Sequence, residues 1–131
     1  MNSMVRSLAV AASLALSIAA THALAGPKDY SFEPVSADVR NGNGSELAVR
    51  IVHKPTGKPV DGAVLFRSRL DMSPDSMGEM QAKHAAMPST EPGVYTFKAD
   101  LTMAGGWALK LMAKVPGETE TVEGSVVFKA K

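Results

Sequence analysis

The sequence contains no cysteine among its 131 residues, and this absence excludes several kinds of protein at once. A disulfide framework, a thiolate nucleophile and a Cys-ligated zinc or iron–sulfur site all require the missing side chain. A surplus of charge of one sign is missing as well, because 14 basic side chains stand against 13 acidic ones. With a net charge of +1, the chain has no bulk electrostatic attraction for nucleic acid, and we predict no such partner.

Motifs of catalysis are also absent. No serine stands in a G-x-S-x-G context, and the sequence has no H-E-x-x-H motif. The glycine-containing run Asn41–Gly44 precedes a strand pattern, which is typical of a turn and not of a phosphate-binding loop that opens a helix. We therefore predict that the protein is not an enzyme.

Residues 1–25 have the three parts of a secretory signal peptide. Arg6 supplies the positive charge, an apolar run covers residues 8–20, and Ala23–Ala25 fits the small-x-small cleavage rule. The run is too short to cross a bilayer, which requires about 20 apolar residues. We predict cleavage before Gly26, a periplasmic location and no membrane span after cleavage.

Removal of the signal peptide leaves one domain, residues 26–131, whose 13 basic and 13 acidic side chains cancel. Two of the 8 methionines and one of the 3 histidines leave with the signal, so six methionines and two histidines remain. A chain of this length can bury one modest core, and here it does so without disulfide bonds.

The rest of the chain shows period-two alternation of apolar and polar residues, which predicts half-buried strands. In residues 63–70, for example, Val64, Phe66 and Leu70 share one face, opposite Arg67 and Arg69. No long helical periodicity occurs, and we predict an all-β fold, an immunoglobulin-like antiparallel β-sandwich of about seven strands. The predicted strands are residues 30–39, 46–53, 63–70, 95–103, 107–115 and 121–128.

Residues 71–88, which we call the methionine segment, do not show this alternation. They contain four of the six remaining methionines and His84. In a helix, Met77, Met80, His84 and Met87 would lie on one face, whereas in a loop the flanking prolines and Gly78 would let them converge. The pattern predicts a loop or a short helix over residues 73–88 and does not choose between them.

Thioether sulfur is a soft, uncharged ligand that favours Cu(I), and imidazole adds a stronger donor. The candidate metal ligands are therefore Met77, Met80, His84 and Met87, with copper as the only expected cofactor. Met72 and Met103 are reserve ligands, because both are in phase with apolar strand residues. Met72 could be a core residue or a ligand, whereas core packing is the favoured role of Met103, which ends its strand where the chain could approach the methionine segment. The alternative remains open that the methionines form only a flexible apolar contact surface.

Three features of the sequence resemble the YtkA-like/FixH-like domain of small exported bacterial proteins. They are the strand Leu47–Ile51 with the turn that follows it, the methionine segment, and Pro92–Tyr95 followed by Leu101–Leu109. The resemblance implies an immunoglobulin-like sandwich at the cell envelope, near copper handling, heavy-metal efflux or cytochrome oxidase assembly. We expect no membrane anchor of the kind that FixH-type proteins carry, which argues against a fixed subunit of oxidase assembly.

Two functional hypotheses follow from the residues and the resemblance together. The first is a periplasmic protein that binds or transfers Cu(I) and has a copper-handling or efflux protein of the envelope as its partner. The second is a metal-free interaction module that docks on an efflux or oxidase-assembly complex.

Overall fold

A computed structural model describes residues 27–89 and 91–131, so the predicted signal peptide lies outside the described residues. Nearly all regular structure in these ranges is strand, with two single-turn 3-10 helices at Pro27–Asp29 and Ser73–Asp75. In the same ranges we find no helix with the length and apolar character needed to cross a membrane. The strands are β1 (Tyr30–Pro34), β2 (Asp38–Val39), β3 (Gly42–His53), β4 (Lys58–Pro59), β5 (Val64–Met72), β6 (Met77–Gln81), β7 (His84–Met87), β8 (Val94–Leu101), β9 (Gly105–Lys114) and β10 (Val122–Ala130).

These strands form two sheets. The first has the order β1-β3-β8-β7, with β4 paired to the end of β3, and the second has the order β2-β10-β9-β5-β6. The pairs are antiparallel except for β2 with β10, which is parallel. The predicted antiparallel β-sandwich is confirmed. The strands beyond the predicted number are short, and Pro34 divides the predicted N-terminal strand because proline interrupts a ladder.

The core lies between the sheets and is built by alternate residues of the long strands. Trp107 and Phe128 of the second sheet and Leu47 of the first are fully buried. Gly124 of β10 faces the ring of Phe32 in β1, and a Cβ atom at this glycine would collide with that ring. Burial of alternate residues along β3, β8, β9 and β10 follows the period-two pattern of the sequence.

One predicted face is wrong. Val64 and Phe66 were expected to share the buried face of Leu70, but they are 60% and 48% exposed. The pairing of β5 with β9 shifts register between Leu65 and Arg67, which marks a β-bulge. A bulge inserts one extra residue into a strand. The alternation of side chains therefore changes phase at the bulge, and residues before it face the opposite side of the sheet from the one that the sequence pattern predicts.

Two tyrosines tie connections to the sandwich. Tyr95 donates its hydroxyl to the carbonyl of Val60 at 2.7 Å and accepts the N–H of Ala63 at 2.9 Å. Tyr30 donates to the Glu118 carboxylate at 2.8 Å. Burial, together with that hydrogen bond and the nearby negative charge, raises the pKa of Tyr30 to about 12.

Candidate functional site

The methionine segment crosses from one sheet to the other. It begins with the 3-10 turn Ser73–Asp75, continues as β6 along β5 of the second sheet, and ends as β7 along β8 of the first. The prediction of a loop or short helix over residues 73–88 is therefore wrong for most of the segment. Strand pairing wins because the free edges of β5 and β8 satisfy the backbone polar groups of these short runs.

Asp71 anchors the start of this segment. Its side chain is 0% exposed, and it accepts hydrogen bonds from Arg69 Nε at 2.7 Å and Lys110 Nζ at 3.1 Å. A third bond comes from the backbone N–H of Ser73 at 3.0 Å. Burial by itself would raise the pKa of Asp71, but the hydrogen bonds from Ser73, Arg69 and Lys110 outweigh it and hold this pKa well below its usual range.

Arg69 extends this network to the next strand. Its second guanidinium nitrogen donates to the carbonyl of Gly78 at 2.7 Å, so one side chain joins β5 to β6. The 3-10 turn is held by a separate contact, in which the N–H of Gly106 donates to the Asp75 carboxylate at 3.0 Å. Since Gly106 and its neighbour lack side chains, the turn can lie directly on the start of β9.

Three candidate methionines lie towards the same end of the sandwich. Met72 is fully buried and pairs across the strands with Met77, which is half-buried and packs against the core. A Cβ atom at Gly105 would lie 2.9 Å from Cε of Met72, so this methyl group lies against the start of β9. Met103 is in the turn that leads into β9, and its carbonyl accepts the indole N–H of Trp107 at 3.0 Å.

His84 begins β7, and both of its ring nitrogens have partners. Nδ1 lies 3.0 Å from the carbonyl oxygen of Ala82, and Nε2 lies 2.7 Å from the hydroxyl of Ser68 on β5. A carbonyl oxygen only accepts, so Nδ1 carries the proton and donates it. Nε2 then has a lone pair, which accepts the Ser68 hydroxyl in the gap between the two sheets.

Met80 and Met87 present more of their side chains to solvent, with 39% and 37% exposure. Met87 and His84 are three residues apart in one strand and therefore face opposite sides of the first sheet. Met87 lines a cavity of about 310 Å³ on the outer face of that sheet, together with Val35 and Thr96. The structure therefore does not bring Met87 to the side of β7 on which His84 lies.

Sequence reasoning missed the roles of Ser68 and Asp71. One signal for Asp71 was present, since Arg69 and Asp71 are two residues apart and so share a face of a strand. Ser68 carried no signal, because its contact with His84 depends on how β7 lies relative to β5. His53 lies outside the candidate site, at the end of β3, with Nδ1 2.8 Å from the hydroxyl of Thr56.

Comparison with models of protein families gives a match over most of the chain. A family model described as YtkA-like matches residues 24–112, a range that includes the whole methionine segment and ends within β9. Among the curated proteins searched, none matches the chain. In residues 27–89 and 91–131, no group of three or more His, Cys, Asp or Glu side chains is arranged to hold a metal ion.

Proposed function

The chain belongs to the YtkA-like family, and on that premise we propose that it is an exported periplasmic protein that binds Cu(I) and passes it to a partner. The observation that carries the proposal is the state of His84. Its Nδ1–H donates to a backbone carbonyl, so Nε2 carries the lone pair, and its one partner in the structure is the Ser68 hydroxyl, which a metal ion could displace. Metal-binding histidines are oriented by this kind of hydrogen bond.

The neighbouring donors suit a soft metal ion. Met77 and Met80 lie on β6, which is joined to His84 by only two residues, and Met80 is substantially exposed. Thioether and imidazole together favour Cu(I) over harder ions. We therefore propose His84, Met77 and Met80 as the ligands, with Met72 and Met103 in reserve. Met77 and Met80 are three residues apart, but the register shift between β6 and β5 interrupts the regular alternation of faces along β6. Met87 is left out because β7 pairs regularly with β8 and places Met87 on the opposite side from His84.

The proposed mechanism is ligand exchange without a change of oxidation state. In the metal-free protein the Ser68 hydroxyl donates to Nε2 of His84, and Cu(I) replaces this hydrogen bond when it binds. On transfer, the hydroxyl returns to the nitrogen as the partner's ligands take the ion. The protein thus holds Nε2 in position in both states.

The test is a titration with Cu(I) in competition with a chelator of known affinity, on protein purified from the periplasmic fraction. We expect one ion per chain, and a loss of at least about ten-fold in affinity when His84→Ala or the Met77→Leu and Met80→Leu pair is introduced. Met87→Leu is the matched control and should leave the affinity unchanged. Stoichiometric binding that survives all three ligand substitutions together would defeat the site, and intact mass tests whether Gly26 is the first residue.

A second candidate function is supported by the burial of the methionines. Met72 is fully buried and Met77 packs against the core, so apolar packing accounts for both. The exposed Met80 would then form part of a metal-free surface that docks on an envelope complex. Leucine keeps the apolar volume but lacks the thioether, so biological function that persists in the Met77→Leu and Met80→Leu variant favours this reading.

A further inference from the structure

The outer face of the second sheet carries a concentration of positive charge that the composition does not reveal. Residues of β9 and β10 alternate between the core and this face, and Phe66 reaches it through the bulge in β5. On β5, β9 and β10, five basic side chains belong to this face against two acidic ones, whereas residues 26–131 as a whole are neutral. At the edge strand β2 the exposed Asp38 lies opposite Lys129 and pairs with Lys131, so the excess of positive charge is concentrated on β5 and β9. We call this surface the basic face; its charged members are Arg67, Arg69, Lys110, Lys114, Lys129, Asp71 and Glu123.

The register of the strands places cations next to one another. Arg69 lies directly opposite Lys110, and these two share the single carboxylate of Asp71. Like charges at directly opposed positions are destabilising, so the buried acid offsets a local repulsion. Arg67 and Lys114 make no ion pair within the described residues, and their charges remain available to an outside partner.

Apolar side chains lie between these charges. Val64, Phe66 and Val127 are all about half exposed or more, and the ammonium group of Lys114 lies 5.9 Å from the centre of the Phe66 ring. A groove of about 530 Å³ runs between β5, β9 and β10, with Arg67 and Met112 among its lining residues. Arginine, methionine and aromatic side chains are enriched where proteins bind one another.

The basic face is continuous with the methionine segment. Arg69 belongs to the face and at the same time donates to the carbonyl of Gly78 in β6. A molecule seated on the face would therefore border β6, the strand that carries Met77 and Met80.

We propose that the basic face is the docking surface for an acidic surface of the protein that receives the metal ion. This inference rests on the proposed function for the metal, but the docking itself does not require metal. A protein partner is favoured over a lipid headgroup because the positive charges are held in fixed positions: Asp71 keeps Arg69 and Lys110 in place. Glu123 also lies on the face, and its negative charge would be repelled by a uniformly negative membrane surface. Opposite charges on two protein surfaces mainly increase the rate of association and determine which partner binds.

The size of the face suits a brief encounter. Three strands of about nine residues, at about 3.3 Å per residue and 4.8 Å between strands, give a patch of roughly 300 to 450 Å². A stable interface uses about 800 Å² per partner, and smaller areas are typical of transient electron-transfer and signalling contacts. A protein that hands on an ion must also release its partner.

The test uses a decapeptide of glutamate as the acidic probe and isotope-labelled, metal-free protein. We expect amide shifts confined to β5, β9 and β10 and binding that weakens as salt is added. The variant Arg67→Glu with Lys114→Glu should lower the affinity by about ten-fold or more, since it reverses two charges on the face. Arg50→Glu with Lys98→Glu is the matched control, because it makes the same charge change on the outer face of the first sheet.

Equal loss in the two double variants, or shifts spread over both sheets, would overturn the docking surface. Binding to phosphatidylglycerol vesicles without binding to the peptide would overturn the choice of a protein partner. Cu(I) affinity should be the same in the Arg67→Glu, Lys114→Glu variant and the unchanged protein. If the unchanged protein binds no Cu(I) but the peptide still distinguishes the two double variants, the proposed function fails and the acidic docking surface stands.

Discussion

Replacement of Asp71 by asparagine should destabilise the protein in a pH-dependent manner. Asparagine has nearly the same shape, and its side-chain oxygen can still accept the N–H of Ser73. The change removes the negative charge that Arg69 and Lys110 share at 2.7 Å and 3.1 Å. Hydrogen bonds to charged groups contribute about 1.5 to 3 kcal/mol each when they are well shielded from water.

The partners of Asp71 reduce this figure. Arg69 and Lys110 are each 47% exposed, so water can solvate them once the carboxylate is lost. We therefore expect a loss of about 2 kcal/mol in the free energy of unfolding, which is less than the 3 to 5 kcal/mol for breaking a fully buried pair. For a domain of this size the loss corresponds to a fall of roughly 10 °C in Tm.

The sign of the pH dependence follows from the lowered pKa of Asp71. The folded protein keeps the carboxylate charged where the unfolded chain, with a pKa near 3.8, takes up a proton. The stabilisation is present in full above that pH and is lost as the pH falls towards the folded-state pKa. The difference between the unchanged protein and Asp71→Asn should therefore be constant near neutral pH and shrink below pH 4 or so.

Urea denaturation followed by Trp107 fluorescence from neutral pH down to pH 2 would measure this difference. Glu123→Gln is the matched control, because it removes one negative charge from the same face at an exposed position. Two results would refute the reasoning: a loss no larger than that of the control, or a difference that does not change with pH.

Three further predictions concern packing, alkaline stability and the metal. Gly124→Ala should cost about 1 to 3 kcal/mol in urea denaturation, because its methyl group collides with the ring of Phe32; unchanged stability would contradict that packing. The pKa of Tyr30 is about 12 in the folded protein against 10.0 in the unfolded chain, so its stabilising contribution is present below pH 10 and lost as the pH rises towards 12. Between these two pH values the Tm of the Tyr30→Phe variant should fall less than that of the unchanged protein. An equal fall in Tm in both proteins would contradict the role of Tyr30. Ser68→Ala should strengthen Cu(I) binding up to about ten-fold, because the hydroxyl no longer competes for Nε2 of His84, and weaker binding in the chelator titration would count against the exchange mechanism.

The long strands were predictable because their burial is periodic. From Trp107 to Val115 every second residue is apolar, and these residues form one side of the core. The bulge in β5 was not predictable, because it depends on the register with β9 and leaves the alternation of residues 63–70 unchanged in the sequence. Phe66 was therefore assigned to the wrong face.

The candidate site was predictable in composition but not in geometry. The soft donors and His84 are visible in the sequence, yet a helix would place Met87 and His84 on one face, whereas β7 places them on opposite faces. The segment forms strands because free edges of two sheets lie beside it, and such edges are a property of the whole fold. For the same reason the contact of Ser68 with His84 could not be read from residues 71–88 alone.

The position of β10 has a consequence for the order in which the chain can fold. This strand is last in sequence but lies inside the second sheet, between β2 and β9, and it supplies the buried Phe128. Until β10 has been synthesised, β9 has an unpaired edge and Trp107 lacks Phe128, its partner on the adjacent strand. Contacts between such distant parts of a chain form slowly. The sandwich can consequently close only after β10 has been synthesised, and until then β9 presents an unpaired strand edge that another chain could join.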